Sequence, residues 1–99
     1  MTTIFVLFGC TGEYSDRSEW AVRGYTSKEA ADADCAALNA IAEEIKKGED
    51  SADDSYDFRE NAVRERLQPH DAYASMDYTG TDYSVTEMPL VDAPQIVAA

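Results

Sequence analysis

The run Glu13-Tyr14-Ser15-Asp16-Arg17 sets two carboxylates, a phenol, a hydroxyl and a guanidinium within five positions. Such a set can line a polar pocket or make the contacts of a binding loop. It can equally close a turn, with Asp16 accepting from backbone amides and Arg17 paired to Glu13 or Glu19. The run lies between the most apolar stretch of the chain, Ile4-Phe5-Val6-Leu7-Phe8, and a second strand-like stretch from Trp20 to Tyr25. A hairpin needs only two loop residues, so the connection from Gly9 to Ser18 is longer than connectivity requires. Gly9 and Gly12 are expected to turn its backbone at no Cβ cost.

Residues 68–82 carry a second group of side-chain handles, among them His70, Asp71, Tyr73, Asp77, Tyr78 and Asp82. They read as an ordered loop. Tyr14, Trp20, Tyr73, Tyr78 and Tyr83 are expected to gather near one end of a sheet, as a contact surface or as ordinary strand packing. The expected binding surface is Glu13, Tyr14, Asp16, Arg17, Tyr78 and Asp82, with Arg17 the cation among acids.

A third candidate is the acidic run Glu43, Glu44, Glu49, Asp50, Asp53, Asp54 and Asp57, seven acids against two lysines. Carboxylates on helices can approximate the spacing of B-DNA charge, one per about 1.7 Å of axis. Charge runs are also commonly solvated linkers, and both readings stand. Over the chain, 20 acids against eight bases give a formal charge of −12. That charge repels nucleic acid and anionic membranes and favours basic partners; it also simply aids solubility.

Several chemistries are not expected. One histidine, His70, rules out a multi-histidine metal site within the chain. Cys10 has no basic neighbour in sequence to lower its pKa, and Cys35 falls on the buried side of an expected helix. Two cysteines do not make a disulfide scaffold. No Gly-x-Ser-x-Gly, P-loop or dinucleotide fingerprint is present, so neither an enzyme nor a cofactor is expected. Leu7-Phe8-Gly9-Cys10 looks like a lipoprotein processing site. No Lys or Arg precedes it, however, and the apolar run is shorter than a signal's. A buried strand and a cytoplasmic location are expected.

Ninety-nine residues suit one domain. Residues 3–8 read as a central strand, apolar on both faces. Residues 19–25 alternate, with Trp20 and Val22 on one face and Glu19, Ala21, Arg23 and Tyr25 on the other. Thr26-Ser27-Lys28-Glu29 reads as a capping box with Thr26 as N-cap. The helix then runs to about Lys47, with Gly48 as its C′ residue. Its stripe is Ala31, Cys35, Leu38, Ile41, Ala42 and Ile45, with Asn39 facing out. Residues 48–55 read as an acidic linker. A short helix follows from Ser55 or Tyr56 to Leu67, buried through Phe58, Ala62, Val63 and Leu67, with Glu60 and Arg64 an i,i+4 pair. A last strand spans 83–90, bulged between Val85 and Met88, with Pro89 marking an edge. The tail from about 92 to 99 is expected to fray. These elements predict an α+β fold: a three-stranded antiparallel sheet, order 2-1-3, with one long and one short helix on one face. In that topology the 9–18 and 76–82 loops share one end of the sheet.

Two segments, Phe8 to Trp20 with its Gly-Glu-Tyr-Ser-Asp loop and Met76 to Val85, resemble a group of small proteins encoded by bacteriophages and prophages. The resemblance covers about half of the chain and does not include the acidic insert at 48–57. It implies a strand, loop, strand, helix and closing strand, and a phage context without catalytic residues. The expectation that combines it with the charge is an accessory protein that inhibits a host protein with a basic, nucleic-acid-binding surface, of anti-defence or anti-CRISPR type. Two other readings stay open. One is a binding module for a small ligand such as a nucleotide signal. The other is a virion or assembly component, pairing through its edge strands, for instance as a homodimer.

Overall fold

The computed structural model describes residues 2–96; the expected frayed tail lies partly outside the described residues, and 91–96 are exposed. Strand β1 (Thr2–Thr11) is central and pairs antiparallel with β2 (Ser18–Tyr25) and β3 (Thr81–Leu90). Helices α1 (Lys28–Asp50) and α2 (Ser55–Ala62) follow β2, and a π turn, Val63–Leu67, extends α2. The sheet order is β2-β1-β3, the expected α+β architecture.

β1 is central because its alternation serves two faces. Leu7, Gly9 and Thr11 are buried on the helix side, while Phe8 and Cys10 line a shallow depression on the uncovered side with Ser84, Thr86 and Met88. The α1 stripe is laid down as read, with Ala31, Leu38, Ala42 and Ile45 buried and Cys35 and Ile41 packed at its margin. Leu7, Ile45 and Leu67 lie at the fully buried centre, each worth about 1.5–3 kcal/mol in burial.

Several local readings are overturned. Ser27, not Thr26, caps α1: its side chain accepts from the Ala30 amide at 3.2 Å. α1 does not stop at Gly48 but continues to Asp50. Gly48 serves a close approach instead, since a Cβ there would lie 2.5 Å from the Phe58 ring. The acidic linker therefore shrinks to a tight corner at 51–54, with Asp54 capping α2 by accepting from the Asp57 amide at 3.1 Å. Phe58 is less buried than expected, whereas Ala62, Val63 and Leu67 are core. Arg64 bonds Asn61 rather than Glu60.

The bulge is in β2, not β3. Pairing of β1 with β3 is regular throughout, while pairing with β2 slips between Leu7 and Phe8, leaving Val22 as the extra residue. The slip re-phases β2. Trp20 reaches over Gly9 toward Asp71 on the helix side, and Arg23 and Tyr25 also face the helix. Asn39 does not face out. It is half-buried, accepts from the Tyr83 amide at 2.7 Å and donates to the Tyr83 carbonyl at 3.0 Å, covering part of the β3 edge.

Candidate functional site

Gly9 was expected to turn the chain, but it is a strand residue. A Cβ at Gly9 would lie 2.5 Å from the Trp20 ring, so glycine there admits the indole. The true loop is Gly12 to Arg17. Gly12 turns it at φ +90, and Tyr14 opens a single 3-10 turn, Tyr14–Asp16, at φ 52. A non-glycine residue in this region is strained. Tyr14 is also 94% exposed, so no packing holds it there.

The two loops share one end of the sheet as the topology requires. The Thr11 hydroxyl donates to the Gly80 carbonyl at 2.7 Å and accepts from the Asp77 amide at 2.7 Å. Beside this junction lies an open groove of about 420 Å³, lined by Thr11, Asp16, Ser18, Glu60, Arg64, Met76 and Asp77 among others. Asp16 comes from the first loop, Glu60 from α2 and Asp77 from the second loop. None of the three carboxylates is in an ion pair among the described residues, and Arg64 is the sole cation in the lining.

The expected surface of Glu13, Tyr14, Asp16, Arg17, Tyr78 and Asp82 is thus divided. Asp16 enters the groove, whereas Arg17 turns to the uncovered sheet face beside Phe8 and Cys10, where it pairs with Glu19 at 2.9 Å. Asp82 sits opposite Cys10 in the register; the Arg17 pKa is raised first by the Glu19 hydrogen bond, then by Cys10 and the Glu19 charge, and least by Asp82. Tyr14 and Tyr78 project into solvent, and Glu13 is exposed without a cationic partner among the described residues.

Under the second loop lies a buried carboxylate, Asp71, which the sequence offers only as one side-chain handle among several. Asp71 is 2% exposed. One of its oxygens accepts from Trp20 Nε1 at 2.8 Å and from the Tyr83 hydroxyl at 2.9 Å; the other accepts from the Tyr73 amide at 3.2 Å. Burial, and then this hydrogen bond, push the Tyr83 phenol well above its ordinary range. Of the five aromatics expected to gather, Trp20 and Tyr83 meet at Asp71, while Tyr14, Tyr73 and Tyr78 are exposed.

The acidic run is ordered but largely spoken for. Glu43 pairs with Lys47 at 3.3 Å, Asp50 with Lys46 at 3.1 Å and Glu44 with Arg66. Glu49 is not a surface residue: it is 5% exposed and pairs with Arg59, joining α1 to α2. Asp53, Asp54 and Asp57 are exposed at the helix corner without cationic partners among the described residues. Among the described residues, six of the eight bases hold six different carboxylates, leaving fourteen of the 20 acids without a cation.

Chemically, the groove presents three carboxylates and one guanidinium. A phosphate would meet all of them. Among the described residues no three His, Cys, Asp or Glu side chains lie close enough to hold a metal ion, and no helix is long and apolar enough to cross a membrane. The chain matches no family model, no curated protein and no solved structure.

Proposed function

We propose that this chain is an acidic binding protein that docks on a basic, nucleic-acid-binding surface of another protein and blocks it. The convergence of Asp16, Glu60 and Asp77, from three elements, around one open groove carries the reading. Lysine and arginine side chains of a partner would enter that groove. The other unpaired carboxylates would steer the encounter, as a one-signed field does at low ionic strength. The likeness of the Gly-Glu-Tyr-Ser-Asp loop to phage-encoded proteins supports a host protein as the target, the host cytoplasm as the place, and inhibition of a defence complex as the role.

The test is capture of partners from host lysate on the immobilised chain at ~0.05 M and ~0.5 M salt, beside the triple variant Asp16→Asn, Glu60→Gln, Asp77→Asn. The expected partner is nucleic-acid-binding, is released at high salt, loses nucleic acid when the free chain is added, and binds the variant at least tenfold more weakly. A partner that lacks a basic surface and stays bound at high salt would sink the reading.

The uncovered sheet face favours one other reading, an assembly component. Phe8 and Met88 lie together on it, and Leu90 pairs with Thr2 at its far end. Sedimentation equilibrium of the purified chain separates the two: a monomer at ~100 μM removes self-assembly, and a defined oligomer supports it.

A further inference from the structure

Arg23 stands apart in this molecule. It and Arg64 are the two of the eight bases with no carboxylate within ion-pair distance among the described residues, although fourteen acids are free. One guanidinium nitrogen of Arg23 donates to the His70 carbonyl, which pins the start of the second loop to β2. A guanidinium carries five N–H donors in a planar fork suited to a carboxylate.

The same side chain lines a hollow of about 190 Å³ between β2 and α1. Ala37, Leu38 and Ile41 supply its apolar lining; Arg23, Tyr25, Asp34 and His70 supply the polar lining. Asp34 is already engaged, accepting from the Tyr25 hydroxyl at 2.6 Å. Burial, and then Asp34, push the Tyr25 phenol up to about 12, with Arg23 pulling the other way, so Arg23 and Asp34 flank one phenol that stays protonated at neutral pH. An apolar cavity of about 150 Å³ holds a benzene ring, so this hollow has room for one ring-sized body.

We propose that the hollow between β2 and α1 is a binding site for a carboxylate borne on a benzene-sized apolar body, the body resting on Leu38 and Ile41 and the carboxylate held by Arg23. The bulge at Val22 shapes the site, since it sets Arg23 and Tyr25, which alternation already places on one face, on the same helix side as Trp20 despite their odd spacing from it. The net charge of −12 opposes approach of any anion, but at ~0.15 M salt fields decay over about 8 Å and Arg23 is the near charge. A free aromatic acid and the carboxyl terminus of a peptide ending in an aromatic residue present the same chemistry.

The experiment is a titration of the ¹⁵N-labelled full chain followed by NMR. The probes are phenylacetate, acetate, benzyl alcohol, and a tetrapeptide ending in Phe with its carboxyl group free or amidated. Phenylacetate at millimolar concentration is expected to shift the amides of Tyr25, Ala37 and Ile41, with acetate and benzyl alcohol at least tenfold weaker. Arg23→Gln and Ala37→Leu are each expected to weaken it at least tenfold with an unchanged far-ultraviolet spectrum. Ala37→Leu fills the hollow and leaves the Arg23 bond to His70 intact, so it covers the case in which Arg23→Gln unfolds the loop. A tenfold preference for the free-carboxyl peptide over phenylacetate identifies a peptide terminus as the ligand, and equal or weaker binding identifies a small acid. Phenylacetate binding no tighter than acetate or benzyl alcohol, or undiminished in Ala37→Leu, overturns the proposal.

Discussion

Asp71 accepts three hydrogen bonds, one from the buried Tyr83 hydroxyl and one from the half-buried Trp20 indole among them. Asp71→Ala would strand both, and each unsatisfied buried donor costs about 1–3 kcal/mol. Loss of a few kcal/mol in chemical denaturation is expected, with a smaller loss for Asp71→Asn, which keeps one acceptor oxygen. Tyr83 adds a pH dependence. Its phenol titrates higher folded than its unfolded value of 10.0, so its contribution is complete below that pH and is lost as pH rises above it. Melting temperature should therefore fall from about pH 10 upward, and less steeply in Tyr83→Phe. Tyr14 makes the opposite kind of test. Tyr14→Gly relieves a left-handed strain of roughly 1–2 kcal/mol, so stability should not fall. If Tyr14 touches a partner, affinity should drop in the same variant, and a drop in both would mark Tyr14 as structural. Arg17 pairs with Glu19 on an exposed surface, where such pairs contribute about 0–1 kcal/mol. Arg17→Ala should hardly move the melting curve, whatever it does to binding.

At the scale of elements, the α1–α2 corner depends on Gly48 under Phe58 and on the enclosed pair Glu49–Arg59. Glu49 Oε2 and Arg59 Nε are buried without partners, so the pair is not fully satisfied. Removing one member of such a pair costs about 3–5 kcal/mol, whereas replacing both by apolar residues is often neutral or better. Arg59→Met alone should destabilise strongly, and Glu49→Leu with Arg59→Met should recover most of the loss in urea denaturation. If the single variant matches the parent, the corner is held by Phe58 and the core alone. Leu38→Asp tests the helix against the sheet. Burying a carboxylate at a 5% exposed site costs several kcal/mol, of the ~5–15 kcal/mol a domain holds, so the far-ultraviolet signal should be lost.

At the scale of the whole molecule, the intrachain pairs consume most of the positive charge and leave the field almost wholly negative. Around the groove that field meets a shaped surface, whereas the corner bearing Asp53, Asp54 and Asp57 offers only charge. Mutating the groove should therefore raise the dissociation rate of a partner, and neutralising the corner should mainly slow association and flatten its salt dependence. Stopped-flow binding at two ionic strengths reads both.

The sheet order, the long helix and its apolar stripe were legible in the sequence because each rests on local periodicity. Two faces of apolar residues make β1 central, a 3.6-residue repeat makes α1, and connectivity alone puts the two loops at one end. What tertiary structure decided depends on residues far apart in the chain. Trp20 and Asp71 are 51 positions apart, and their bond explains why Gly9 must lack a side chain. Gly48 reads as a helix end by propensity, yet the Phe58 ring makes it an interior contact. Glu49 reads as surface charge until Arg59 is folded beside it. The β2 bulge, which sends Arg23 to the hollow, and the parting of Asp16 from Arg17 onto different faces also belong to packing. No local pattern encodes them, because a one-residue slip in a strand reverses every side chain beyond it.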